Sequence, residues 1–206
     1  MKKLIWLAIF LLSVIMSYSQ SYTMRSTSSG ISVGLGVGTG GWQCKDFGVT
    51  QERGLAYGIQ LGYGFNENIE LFGKGAFIRI NPEDEFFLPF QLNEYMLGAR
   101  YTFGSTLSPL KFYANASISV LSSSQSVDDS DWFFDETIST YYLRGIGGTV
   151  GLGAKYHLRL PIAITLDATM TFGKLNNNYW EDEAIESFQY RSNAIRLGAV
   201  IYFNQL

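Results

Sequence analysis

From residue 30 to residue 203 the chain is dominated by segments in which large apolar residues alternate one for one with small or polar ones. A period of two belongs to a strand that buries its two faces in different surroundings, because successive side chains point to opposite sides. In "GISVGLGVGTGGW", Ile31, Val33, Leu35 and Val37 oppose Ser32, Gly34, Gly36 and Gly38. The same stretch holds a G-x-G-x-x-G spacing at Gly36, Gly38 and Gly41, but no amphipathic helix follows to present its N-terminus to a phosphate. Without that helix the nucleotide-binding reading has no mechanism. The alternation recurs around Leu55–Phe65, Ile69–Ile78, Glu94–Phe103, Lys111–Val120, Gly145–Leu158, Ile162–Phe172 and Ala194–Phe203, which makes eight predicted strands.

Short connections near 66–68, 105–109 and 159–161 alternate along the chain with longer ones near 43–53, 81–91, 124–140 and 176–190. All the long connections therefore leave from one end. An even number of strands with this alternation predicts an all-β fold, an eight-stranded antiparallel up-and-down transmembrane β-barrel. The large face is Ile, Leu, Val, Ala, Phe and Tyr; the small face carries Gly, Ser, Thr and nearly all the strand charges. Eight strands enclose a narrow interior that small residues can fill, so the small face is expected inside and the large one against lipid.

The first residues, MKKLIWLAIFLLSVIMSYSQ, have the layout of a secretory signal peptide: two lysines, an apolar run from Leu4 to Met16, then small and polar residues with Ser17 and Ser19 placed for cleavage. The expected organisation is a signal peptide over 1–19, an N-terminal segment over 20–29 and the barrel over 30–206. A single cysteine, Cys44, gives no internal disulfide and no multi-cysteine metal site. A formal charge of −3 without a polybasic run gives a nucleic-acid partner no support.

With its strand count, its alternating loops and its closing segment "AIRLGAVIYFNQL", the sequence resembles the small eight-stranded outer-membrane proteins of Gram-negative bacteria, the group of the OmpA transmembrane domain, OmpX and OmpW, and in particular the outer-membrane β-barrel domain proteins of Bacteroidota. The resemblance implies an integral protein of the cell outer membrane with periplasmic turns and extracellular loops. It also implies contact with outer-membrane lipid and lipopolysaccharide, and with the barrel assembly machinery during biogenesis. Such proteins usually end on an aromatic residue, whereas this chain ends Phe203-Asn204-Gln205-Leu206.

Two groups of residues are candidates for function. Glu70, Lys74, Glu94, Arg100, Lys111, Lys155, Asp167 and Arg196 all fall on the small face, and in a narrow lumen they are expected to pair, either as a fixed plug or as the gate of a narrow passive channel. In the predicted loops, Glu83-Asp84-Glu85, "DDSDWFFDE" (128–136) and Glu181, Asp182, Glu183 and Glu186, with Asp46 and Glu52, hold fourteen of the eighteen acids. That cluster lacks the glycine and terminal glutamate of an EF-hand loop, so no metal or other cofactor is expected. Trp42, Trp132 and Trp180 sit in or beside those loops, where they read as an interfacial belt or, with Asp131, Phe133, Phe134, Tyr179 and Glu181, as a contact surface for an extracellular protein or glycan. The only histidine, His157, lies beside the short turn at 159–161, away from the end where a lipid A acyltransferase or deacylase works. The expected function is non-enzymatic, through loop contacts, adhesion or envelope integrity; the alternatives are the narrow channel and an accessory barrel of a secretion or surface-assembly system.

Overall fold

The computed structural model describes residues 28–44, 49–81, 89–128, 138–159, 161–177 and 187–203. Eight strands follow one another without an intervening helix among the described residues: β1 (Gly30–Cys44), β2 (Val49–Gly64), β3 (Ile69–Ile80), β4 (Phe90–Phe103), β5 (Leu110–Asp128), β6 (Ile138–Arg159), β7 (Ile162–Asn177) and β8 (Ser187–Tyr202). Each pairs antiparallel with its neighbours in sequence, and β8 pairs with β1 to close the barrel. This is the eight-stranded up-and-down barrel that the period of two and the alternating connections imply.

Register fixes the shape of the wall. The row of paired residues that begins at Ser32 runs through Gly62, Phe72, Gly98, Ser117, Thr149, Thr171 and Ser192 and returns to β1 at Trp42, ten positions nearer the loop end. A climb of ten residues around eight strands sets a strand tilt of about 40°. Closure brings β1 and β8 so near that a Cβ on Gly38 would overlap the Ile195 carbonyl oxygen. At the turn end, Asn66 Oδ1 accepts from the backbone N–H groups of Asn68 and Ile69 at 2.9 and 2.8 Å, which folds the tight turn after β2. Gly104 opens the turn after β4 at φ 108°, in the left-handed region that a Cβ disfavours.

The large apolar face points outward. Leu97, Ile118, Ile146 and Leu152 are 72, 69, 69 and 68 % exposed, an arrangement that water would penalise and hydrocarbon solvates. Tyr63, Phe65, Tyr101, Phe103, Phe112 and Phe203 are exposed at the turn end, and Tyr57, Tyr95 and Phe172 nearer the loop end, with the half-buried Phe77 packed between Tyr57 and Tyr95. Among the described residues Tyr and Phe thus form the outward aromatic girdles expected at the two interfaces.

Two features differ from the sequence reading. The strands run further toward the loops: the connections shrink to 45–48, 81–89, 129–137 and 178–186, and β5 pairs with β6 as far as Asp128 and Ile138. "SQSVD" and "IST", the two ends of the 124–140 connection, lack hydrophobic alternation, yet β5 and β6 extend through them as a paired ladder. The interior also differs, because it is not filled by small residues throughout. Trp42, Ile78, Ile80, Phe90, Leu92, Leu121, Leu143 and Leu175 are buried together inside the loop-end half.

Residues 1–27 and 204–206 lie outside the described residues, and with them the signal peptide, nearly all of the 20–29 segment and the carboxyl-terminal tripeptide. We predict that Gly38→Val, which forces a side chain into the β1–β8 seam, abolishes the heat-sensitive mobility of the folded barrel on unheated gels. Leu35→Ala on the lipid face should retain it. Cys44, fully buried in the interior cluster, should resist alkylation by a maleimide until the barrel is unfolded in urea.

Candidate functional site in the barrel lumen and at its outer end

The inward face of each strand can be read from one end of the lumen to the other. At the turn end, Lys155 Nζ donates to Ser28 Oγ at 2.7 Å and lies 5.8 Å over the Tyr202 ring, while Lys111 Nζ is 3.7 Å from Glu67 Oε2. Glu67 comes from the turn after β2, and its Oε2 also accepts from the Ser28 N–H at 3.3 Å. His157 is buried here, stacked on Tyr202 with ring centroids 5.7 Å apart, and neither of its ring nitrogens has a hydrogen-bond partner among the described residues.

One layer further in, Arg100 spans the interior. Its Nη1 lies 3.1 Å from Glu70 Oε2 and its Nη2 donates to Gln60 Oε1 at 2.7 Å, with the Phe72 and Tyr113 rings 5.2 and 4.5 Å from its guanidinium carbon. Ser32 Oγ donates to the other Glu70 oxygen at 2.9 Å. At mid-height Asp167 Oδ2 faces two cations, Lys74 Nζ at 2.8 Å and Arg196 Nη1 at 3.8 Å, and Arg196 Nη1 also donates to Thr169 Oγ1 at 3.2 Å. Glu94 accepts from the Ser192 hydroxyl. The space between Gly36, Gly58, Lys74, Asp167 and Arg196 amounts to about 20 Å³, room for about one water molecule.

Above this layer the lumen turns apolar. The Trp42 indole donates from Nε1 to Glu52 Oε2 at 3.1 Å and meets the Phe90 ring edge-on at 5.7 Å, within the Ile, Leu and Phe cluster. All eight charges singled out in the sequence therefore face inward. Six of them are held in ion pairs with described partners, Lys155 is held by Ser28 and Glu94 by Ser192.

Trp42 requires a correction. It is neither a loop residue nor a rim anchor: it lies in β1 at 2 % exposure, because the alternation continues unbroken from Ser32 to Trp42 and turns every even-numbered residue of that strand inward. Glu52, taken for a loop acid, is its inward-facing partner on β2. Of the other loop candidates, Asp131, Trp132, Phe133, Phe134, Tyr179, Trp180 and Glu181 lie outside the described residues, as do Asp46, Glu83-Asp84-Glu85 and Glu186. Gln60, Ser28, Ser32, Thr169 and Ser192 were missed as members of the lumen network. The small-face position of Gln60, Ser32 and Thr169 was visible, whereas Ser28 and Ser192 lie outside the strands read from the sequence, and the partner of a neutral side chain depends on cross-barrel distance, which one strand does not encode.

The closed barrel, its apolar exterior and its charged interior prepare the comparison with known proteins. Residues 8–203 match the family model described as the outer membrane protein beta-barrel domain. The chain belongs to that family. An outer-membrane barrel of this form has solved counterparts. Neisserial surface protein A (NspA) superimposes with a TM-score of 0.64 at 18 % identity, over 85 % of this chain and 98 % of that one. The outer-membrane protein OprG of Pseudomonas aeruginosa gives 0.54 at 13 % identity, over 87 and 100 % of the two chains. AlkL, solved by solid-state NMR in DMPC bilayers, gives 0.54 at 12 % identity, over 86 and 92 %. At these identities the likeness is one of fold. Among curated proteins none matches this sequence. Membership of the family places the protein in the outer membrane.

Removing a shared counter-ion from a buried layer is costly, since it leaves buried charges uncompensated. Asp167→Ala strands both Lys74 and Arg196 and should lower stability in vesicles by about 3–5 kcal/mol, measured by urea unfolding. Adding Lys74→Met, which removes one of the two stranded cations, should recover part of that loss.

Proposed function

We propose that this outer-membrane barrel is non-enzymatic and acts through its loop end, which faces the cell exterior, by adhesion, ligand contact or reinforcement of the envelope. The observation that carries this reading is the filled lumen. An ion-paired layer at mid-height is capped by a tight apolar cluster, and the space beside Lys74 and Asp167 has room for about one water molecule. A barrel blocked in this way offers its partners the rim and the loops rather than a conduit. The sequence of those loops suits contact with a partner: "DWFFDE" and "NNNYWEDEAIESFQY" set aromatic residues among acids. Export by a cleaved signal peptide, burial in lipid and lipopolysaccharide, and delivery by the barrel assembly machinery belong to the same proposal.

Two measurements test it. In planar bilayers the purified barrel should show no discrete openings; openings that disappear in Lys74→Met or Arg196→Met would replace the plug with a gated channel. Cells displaying the full-length protein should bind immobilised host glycans or matrix proteins above background. That binding should fall at least about tenfold when residues 129–137 or 178–186 are replaced by a short Gly-Ser linker, while heat-modifiable mobility persists. Unchanged binding after both replacements would remove the loop reading.

Orientation can be checked independently. Proteinase K added to intact cells should cut within 129–137 or 178–186, and cleavage that appears only after the outer membrane is permeabilised would reverse the topology.

A further inference from the structure

The outward face is apolar over most of its height, but near the loop end it carries Arg53 on β2, Arg79 on β3, Arg144 on β6, Lys174 on β7 and Arg191 on β8, all exposed. Each step from one strand to the next carries a paired residue about 1.25 positions toward the loop end, ten over eight strands. Corrected for that climb, the five cations fall within about two residue positions of one axial level. None has an ion-pair partner among the described residues, and no described acid faces outward from the strands there. The charges thus form a collar of one sign around the outside of the barrel, just above the aromatic girdle of Tyr57, Phe77, Tyr95 and Phe172.

A groove of about 910 Å³ leads down from this collar. It starts at Arg53, passes Asn193 on β8, and continues over Met170, Val150 and Ala168 to Ala114 on β5. Arg53 and Asn193 face each other across the outward-facing Gly41: Arg53 Cγ and Asn193 Oδ1 lie 3.5 and 3.6 Å from where a Gly41 Cβ would stand. Arg191, two residues from Asn193 on the same face of β8, rests over Phe172 at 5.4 Å. Below Asn193 the groove is mostly apolar, floored by small residues, and crosses three strand spacings to Ala114, roughly 14 Å along the wall, enough for most of one acyl chain.

We propose that this groove is a binding site for a phosphorylated membrane lipid of the outer leaflet, with the phosphate held by Arg53, Asn193 and Arg191 and one acyl chain laid over Ala168 toward Ala114. The charge complementarity is direct. Cations at headgroup depth, with no ion-pair partner among the described residues, attract anions from the bilayer, and guanidinium groups pair with phosphate oxygens in two-pronged geometry. A second groove on the same wall, about 610 Å³ between Tyr57, Phe77 and Leu197, is lined by no charged side chain, so of the two grooves this one carries an arginine of the collar at its upper end.

The full-length barrel, folded in a neutral detergent, is titrated with dimyristoyl phosphatidic acid and the bound lipid is counted by native mass spectrometry, with unheated gel mobility as the check on folding. The folded wild type is expected to retain the lipid, and to hold dimyristoylglycerol, which lacks the phosphate, at least about tenfold more weakly. The doubly substituted R53Q/R191Q and the groove-filling Ala168→Phe should each weaken phosphatidic acid binding about tenfold. R144Q/K174Q, equal in charge removed but away from the groove, should bind as the wild type does. Binding unchanged in R53Q/R191Q, or lost equally in R144Q/K174Q, overturns the site. Displacement of the lipid by inorganic phosphate at equal concentration overturns it too, because a free anion would then suffice.

Discussion

The structure depends on the pairing of β8 with β1. In hydrocarbon an unpaired backbone N–H or C=O finds no water, so a sheet with two open edges cannot span a bilayer, whereas a closed one leaves nothing unsatisfied within its wall. Closing only eight strands makes a tight cylinder, and the seam shows how tight. Gly36 is paired with Gly58 on one side and Gly198 on the other, and Gly38 lies against the Ile195 carbonyl. The stripe of small residues in the opening segment, which has the spacing of a phosphate-binding turn, is the stripe along which three strands are brought together.

Once the wall is closed, its two faces have separate chemistries, and the interior is itself divided. Toward the turns it is an electrostatic structure in which Glu70, Arg100, Lys74, Asp167 and Arg196 compensate one another across the lumen. Toward the loops it is an apolar core like that of a water-soluble protein, built on Trp42, Phe90 and the leucines of β4 to β7. The charged half adds little net stability, because pairing roughly offsets desolvation. The apolar half gains from burial in the ordinary way. The outer collar of arginines adds a third environment, where charge faces neither the lumen nor bulk water but the headgroups of the membrane.

Much of this could be read from the sequence, for a physical reason. A period of two survives in any strand that separates unlike surroundings, so strand number, facing and the inward direction of Glu70, Lys74, Arg100 and Asp167 were all visible. The apolar interior of the loop-end half was less so. There Ile78, Leu92 and Leu121 point inward while Phe77 and Val120 point outward, so both faces are hydrophobic and the alternation fades. Trp42 was misplaced because tryptophan beside a predicted loop suggests an interface, and only the unbroken parity of β1 shows that it turns inward. The collar was missed because Arg53, Arg79, Arg144, Lys174 and Arg191 are scattered over five strands. They become one feature only when register and shear bring them to one height.

The division of the lumen also bears on how the strands find their alignment. A strand that is apolar on both faces specifies its pairing weakly, so around Ile78, Leu92 and Leu121 a one-residue slip is resisted chiefly by the collar cations, which it would turn into the apolar interior. In the turn-end half the same slip would swing Glu70, Lys74, Arg100 or Asp167 from the lumen into hydrocarbon, where a charge is expensive. The buried charges are therefore markers of alignment more than sources of stability. They make one pairing of each hairpin acceptable to the membrane and its neighbours costly, before the barrel has closed.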